Sequence, residues 1–256
     1  MGTPDQRHAL AKVPEATVFF WLIKILTTGM GETMSDYLVT HLNPIMAVAL
    51  AGLVLVAALA WQFSLRRYVA WVYWFAVIMV SVFGTMAADI LHVGLGIPYA
   101  VSTGVFTGLL AGIFIVWYMT EKTLSVHSIF TRRRELFYWS TVLTTFALGT
   151  AVGDLAATTM RLGYFSSGIL FAVLMLVPAL AFWKDKLTSV AAFWIAYILT
   201  RPLGASFADW LSVSHNRGGL GFGTGPVSFV LLAVIICLVS YLAVSQKDVE
   251  KQPATQ

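Results

Sequence analysis

The chain has 256 residues, of which 59% are hydrophobic and 11% charged, with a formal net charge of +4 and a mean hydropathy of +0.81. Hydropathy that high excludes an ordinary soluble domain. The basic residues lie in separate short turns rather than on one folded face, which excludes a nucleic-acid partner, and the single cysteine, Cys237, excludes an intrachain disulfide or a cysteine metal cluster.

In chain order, "MGTPDQRHALAKVPEA" is polar and precedes a span-length apolar run, so no cleavable signal is expected and the first run stays in the mature protein. A helix needs about 20 residues to cross about 30 Å of hydrocarbon. Runs of that length recur at 17–40, 44–63, 69–92, 97–119, 137–160, 165–183, 188–212 and 225–245, predicting eight spans in one membrane domain over 1–256. The stretch 120–136 reads as a cytoplasmic connector and 246–256 as a polar, disordered tail. Cys237 sits in the last apolar run and reads as a packing residue.

Lys and Arg stay on the cytoplasmic side of short loops. Arg7, Lys12, Arg66, Arg67, Lys122, Arg132, Arg133, Arg134, Lys184, Lys186, Lys247 and Lys251 fall on one set of turns, and only Arg161 and Arg217 on the other. Both termini are therefore expected in the cytoplasm.

The odd-numbered spans carry one pattern four times: Trp, nine residues, Gly, four residues, Asp. It places Trp21, Gly31 and Asp36; Trp74, Gly84 and Asp89; Trp139, Gly149 and Asp154; and Trp194, Gly204 and Asp209. A short turn with Gly and an aromatic follows, as in "LGIPY", "LGY" and "LGF", and then a second span ending in Trp61, Trp117, Trp183 or Tyr241. The expectation is an all-α polytopic protein of four tandem helical hairpins, 17–63, 69–119, 137–183 and 188–245. All four start and end on the same side, which predicts parallel repeats with pseudo-symmetry about the membrane normal. The Trp residues read as interfacial anchors. Each Asp lies about 22 Å along its helix from its Trp, so the acids should meet at one depth.

With this repeat in view the chain resembles a bacterial inner-membrane family built from a repeat of unknown function and described only as an uncharacterised membrane-anchored protein. The resemblance spans about 17 to 245 and is densest in "LSVHSIFTRRRELFYWSTVLTTFALGTAVGDLAATT". It implies a multi-pass protein of the bacterial inner membrane and no activity.

Positions four and eight before each Asp share its helix face. They give the columns Thr28, Glu32, Asp36; Ser81, Thr85, Asp89; Phe146, Thr150, Asp154; and Arg201, Ala205, Asp209. An intramembrane carboxylate is costly unless it faces water, an ion or a countercharge. Asp36, Asp89, Asp154, Asp209 and Glu32 are therefore candidates to bind or relay a cation. Thr28, Ser81, Thr85 and Thr150 would extend a polar path, and Lys24 and Arg201 would act as countercharges or gates. Lys24 precedes Glu32 by eight residues, about 12 Å, too far to pair with it directly, whereas Arg201 can dock the seventh span onto the first through Glu32 or Asp36. His41, His92 and His215 fall near the same mouth and offer a transition-metal site. Against this stands a structural reading of the same residues: helix caps, close packing at the four Gly, interfacial His and a register-fixing ion pair. No phosphate loop, hydrolase motif, dinucleotide fingerprint or haem pair is present, so no enzyme and no organic cofactor is expected. The functional expectation is a transporter or channel for a small cation, a metal ion or proton-coupled solute, in contact with the lipid bilayer. The alternative is a non-transporting membrane scaffold or assembly partner.

Overall fold

The computed structural model describes residues 11–249, and among these there is no strand. Eight long helices follow in order: α1 Val18–His41, α2 Pro44–Ser64, α3 Ala70–Asp89, α4 Tyr99–Glu121, α5 Arg132–Asp154, α6 Tyr164–Trp183, α7 Ser189–Ser212 and α8 Thr224–Ser245. Seven of them, α2 to α8, are long and apolar enough to cross a membrane. α1 is equally long but carries Lys24, Glu32 and Asp36 and falls short on apolarity.

The helix ends follow local chemistry. Thr17, Thr131 and Thr188 each accept a backbone N–H of the first turn of α1, α5 and α7. Asn43 caps α2 with Pro44 at its first position. Gly163 and Gly223 precede α6 and α8 at φ of 73° and 84°, and Gly221 has φ of 72°, so the Gly of the "LGY" and "LGF" turns, Gly163 and Gly221, both take the left-handed side that glycine favours. After Asp89 and Asp154 the helix loosens into a π-helical turn, Ile90–Gly94 and Leu155–Thr159, whereas α1 and α7 stay α-helical past their Asp. The connector is shorter than expected, because α5 begins at Arg132 rather than near 137.

Helices α1, α3, α5 and α7 close a ring: α1 packs on α3, α3 on α5, α5 on α7 and α7 on α1. The second helix of each repeat lies outside this ring and against the first helix of the next repeat: α2 on α3, α4 on α5, α6 on α7, and α8 back on α1. Partners within one repeat touch far less. The hairpin expected from the sequence is thus a unit of connection, while packing joins neighbouring repeats, because the apolar back of each inner helix must be covered and the preceding hairpin supplies the cover.

Each ring joint uses the repeated Gly in the same register. A Cβ on Gly31 would strike Ser81, on Gly84 Phe146, on Gly149 Arg201, and on Gly204 Thr28. In every case the neighbour is the residue eight before the Asp of the next inner helix. Absence of a side chain is what lets the backbones approach.

Shielding by the outer helices also corrects the reading of Trp as interfacial anchors. Trp74, Trp139 and Trp194 are buried with Phe20, Tyr73, Tyr138 and Tyr197 in the main hydrophobic cluster, and Trp194 donates its indole N–H to the Leu124 carbonyl at 2.9 Å. Trp61, Trp71 and Trp183 are the exposed ones.

At this Trp end a strap outside the repeats crosses the ring. Lys12 is buried and pairs with Glu135 at 2.6 Å, its backbone N–H reaches the Ile129 carbonyl, and the Glu15 N–H reaches the Asp248 carbonyl. Tyr68 donates to the Asp248 carboxylate at 2.5 Å. Burial pushes both the Tyr68 hydroxyl and the Asp248 carboxyl above their ordinary ranges. Asp248 belongs to the stretch expected to be disordered, so that expectation is corrected for 246–249; 250–256 lie outside the described residues.

Candidate functional site

Counting back from each Asp in steps of four residues gives the inward face of each inner helix. The positions eight before the Asp and twelve before it are buried on all four helices: Thr28, Ser81, Phe146 and Arg201, then Lys24, Val77, Val142 and Tyr197. One turn nearer the Asp lie Glu32, Thr85, Thr150 and Ala205, also buried. The axis is therefore filled by side chains from Glu32 down to the Trp end.

At its centre is Arg201, with no exposed surface. Its Nη2 donates to Glu32 Oε2 at 2.5 Å, to Thr150 Oγ1 at 2.7 Å and to Thr85 Oγ1, and its Nη1 donates to the Thr28 carbonyl at 3.1 Å. One guanidinium thus joins all four inner helices. Thr85 and Thr150 give their own hydroxyl protons to the carbonyls of Ser81 and Phe146 one turn back, leaving oxygen lone pairs to face Arg201. Of the two acids in α1, Glu32 and not Asp36 is the docking partner.

Lys24 differs from expectation. The residue is 1% exposed, and among the described residues its ammonium has no hydrogen-bond partner and lies 4.0 Å from the Phe146 ring centre and 4.2 Å from that of Tyr197. It packs against two rings and is not paired as a countercharge, and Arg201 shares one of those rings, its guanidinium lying 5.5 Å from the Phe146 ring centre. Below it Tyr73 and Tyr138 share a hydrogen bond of 2.5 Å.

Above the Arg201 hub, Asp36, Asp89, Asp154 and Asp209 are half-buried. Among the described residues none of the four carboxylates makes a hydrogen bond or an ion pair. They do lie within electrostatic reach of Glu32, of Arg201 and, in most pairings, of one another. Tyr99 stands near Asp89 and Asp154, Tyr164 near Asp154 and Asp209, and Arg217 near Asp36 and Asp154 while donating to the Tyr164 hydroxyl at 3.1 Å. Tyr99 and Tyr164 were missed as site residues. Their signal was the aromatic of the "LGIPY" and "LGY" turns, which in both repeats falls ten residues after the Asp.

Other candidates go elsewhere. Ser81 donates to the Thr27 carbonyl at 2.9 Å, and the Thr28 hydroxyl to the Ile25 and Thr200 carbonyls, so both hydroxyls serve ring joints rather than a path. His41 bonds the Tyr37 carbonyl, His92 faces Ser102 and stacks on Tyr99, and His215 bonds the Gly219 carbonyl. Each His is engaged in its own turn. Among the described residues no three His, Cys, Asp or Glu side chains stand in metal-binding geometry, so the expected His metal site does not assemble.

Comparison with curated proteins gives no match, and comparison with solved structures gives none. The family model described as a repeat of unknown function (DUF347) matches four times, at 19–68, 72–123, 137–187 and 192–248. These matches follow the four Trp, Gly and Asp repeats and cover most of the chain, which therefore belongs to the DUF347 repeat family.

Proposed function

We propose that this chain is a multi-pass protein of the bacterial inner membrane that transports a small cation, with the four Asp as its outer vestibule and the Arg201–Glu32 pair as its gate. In this reading all eight helices span the bilayer and the four repeats run parallel around the membrane normal with both termini in the cytoplasm. The identical register of the four Gly joints supports that symmetry. The observation that carries the functional reading is the four Asp carboxylates, which among the described residues make no hydrogen bond and no ion pair; on helices that cross a bilayer, packing alone would favour uncharged Asn or Ser there. A cation that reached Arg201 would be repelled by about 4 kcal/mol at 4 Å in a medium of intermediate dielectric. Transport therefore requires Arg201 to move, and the path is gated rather than open.

In liposomes, the wild type is expected to show uptake of one member of a panel of protons, alkali-metal ions, ammonium compounds and divalent metals. Asp→Asn at 36, 89, 154 or 209 should abolish it while leaving folded protein, because Asn keeps the size and much of the hydrogen bonding. The scaffold reading is favoured by the hub itself, in which Arg201 ties four helices together. It wins if the wild type moves nothing and the Asn variants are equally stable. For topology, a reporter fused after Lys251 or within 120–131 should read cytoplasmic and one within 213–223 external; reversed signals would overturn the orientation.

A further inference from the structure

Arg201 is unusual among the hub residues because three inner helices contribute oxygens to one point while the fourth contributes a cation. At the level of Glu32, Thr85 and Thr150, the fourth helix has Ala205, which offers no ligand. Arg201 reaches that level from one turn below. What it enters is an oxygen cage: one carboxylate, two hydroxyls and the Thr28 carbonyl. A structural lock built around arginine would satisfy all of its donors, yet Arg201 Nε is buried with no hydrogen-bond partner among the described residues. The unpaired Asp ring stands on the other side, within electrostatic reach of the same guanidinium, and provides acceptors for it one turn nearer the mouth.

We propose that this cage is a binding site for a compact monovalent cation of the ammonium or guanidinium class, which Arg201 occupies as a tethered cation and vacates toward the Asp ring to admit a free one. The ligand class follows from the cage. Its net charge is a single negative one, and it has four oxygens, fewer and less charged than the shells calcium or magnesium require. Hydroxyl and carbonyl lone pairs suit N–H donors, and a guanidinium group is what they now hold. The proposal names the substrate class of the transport reading above and rests on it for the direction of entry, though not for binding.

The test is thermal unfolding of full-length protein in detergent, with guanidinium and methylammonium as probes and urea as the neutral isostere of guanidinium. Arg201→Ala is expected to gain a saturable rise in Tm of about 5 to 10 °C at a hundredfold excess of cation over its Kd. Urea should give none, the added Glu32→Gln should abolish the effect, and the wild type should show a smaller rise at the same concentration because its own arginine competes for the cage. Equal responses to urea and guanidinium would reduce the site to a cavity and overturn the proposal, as would no response in folded Arg201→Ala. If that variant does not accumulate, the readout becomes its recovery during growth and extraction with guanidinium but not urea; recovery with neither overturns the proposal. Because no flux is measured, cation binding by a protein that transports nothing keeps the cage and removes only the transport reading.

Discussion

Arg201→Met is expected to lose about 3 to 5 kcal/mol of folding stability, since it leaves Glu32 as a buried acid without its countercharge. The partner experiment decides what kind of loss this is. Glu32→Met alone should cost a similar amount by stranding the guanidinium, which then keeps only Thr85, Thr150 and the Thr28 carbonyl. The double variant Glu32→Met/Arg201→Met replaces both charges with flexible apolar chains of similar length and should recover to within about 1 to 2 kcal/mol of the native protein. Denaturant or thermal unfolding of the four proteins in one detergent closes the cycle. Additive losses would mean that Arg201 and Glu32 act on separate parts of the bundle, contrary to the 2.5 Å contact between them. Recovery of stability with loss of flux would also show that the charges are retained for gating rather than for folding.

Gly204→Ala should destabilise by about 1 to 3 kcal/mol through overpacking, with loss of the assembled ring at the upper end. Its Cβ would sit 1.8 Å from the Thr28 hydroxyl oxygen and 2.7 Å from the Ile25 carbonyl, and a backbone atom yields only if α1 and α7 separate. Gly31→Ala meets the same obstacle at Ser81, where a Cβ would lie 2.9 Å from the backbone carbonyl carbon. The control lies in α4, where Gly104 and Gly108 have nothing within 4 Å of a built Cβ. Alanine there should be neutral or stabilise by up to about 1 kcal/mol through its helix propensity. Melting temperatures that fall equally at both sets would show that the losses come from something other than the ring joints.

The repeat was legible because a motif repeated in register is visible in a one-dimensional string. Trp, Gly and Asp at constant spacing marked the inner helices, the basic turns marked one end of the molecule, and the helical period put Glu32, Thr85 and Thr150 on the faces that meet Arg201. Which repeat covers which was not legible. The outer helices are apolar on every side, so their periodicity names no partner, and only the closed ring shows each one packed on the following repeat. That same closure decided the fate of the individual polar groups. Lys24 was read as a countercharge, but its level of the axis holds Tyr197 and two valines and no acid, so rings are its neighbours. The three His were near one another along the repeat and were each drawn into local turns, because a backbone carbonyl a few residues away is reached at less entropic cost than a site shared across three turns. The sequence by itself thus determined the helices, the repeat and the inward faces, which depend on local period and composition. Tertiary structure alone decided that Arg201 meets Glu32 rather than Asp36 and that, among the described residues, the four Asp carboxylates make no hydrogen bond or ion pair, since the reach of one long side chain across the axis depends on how four backbones are held together by their glycines.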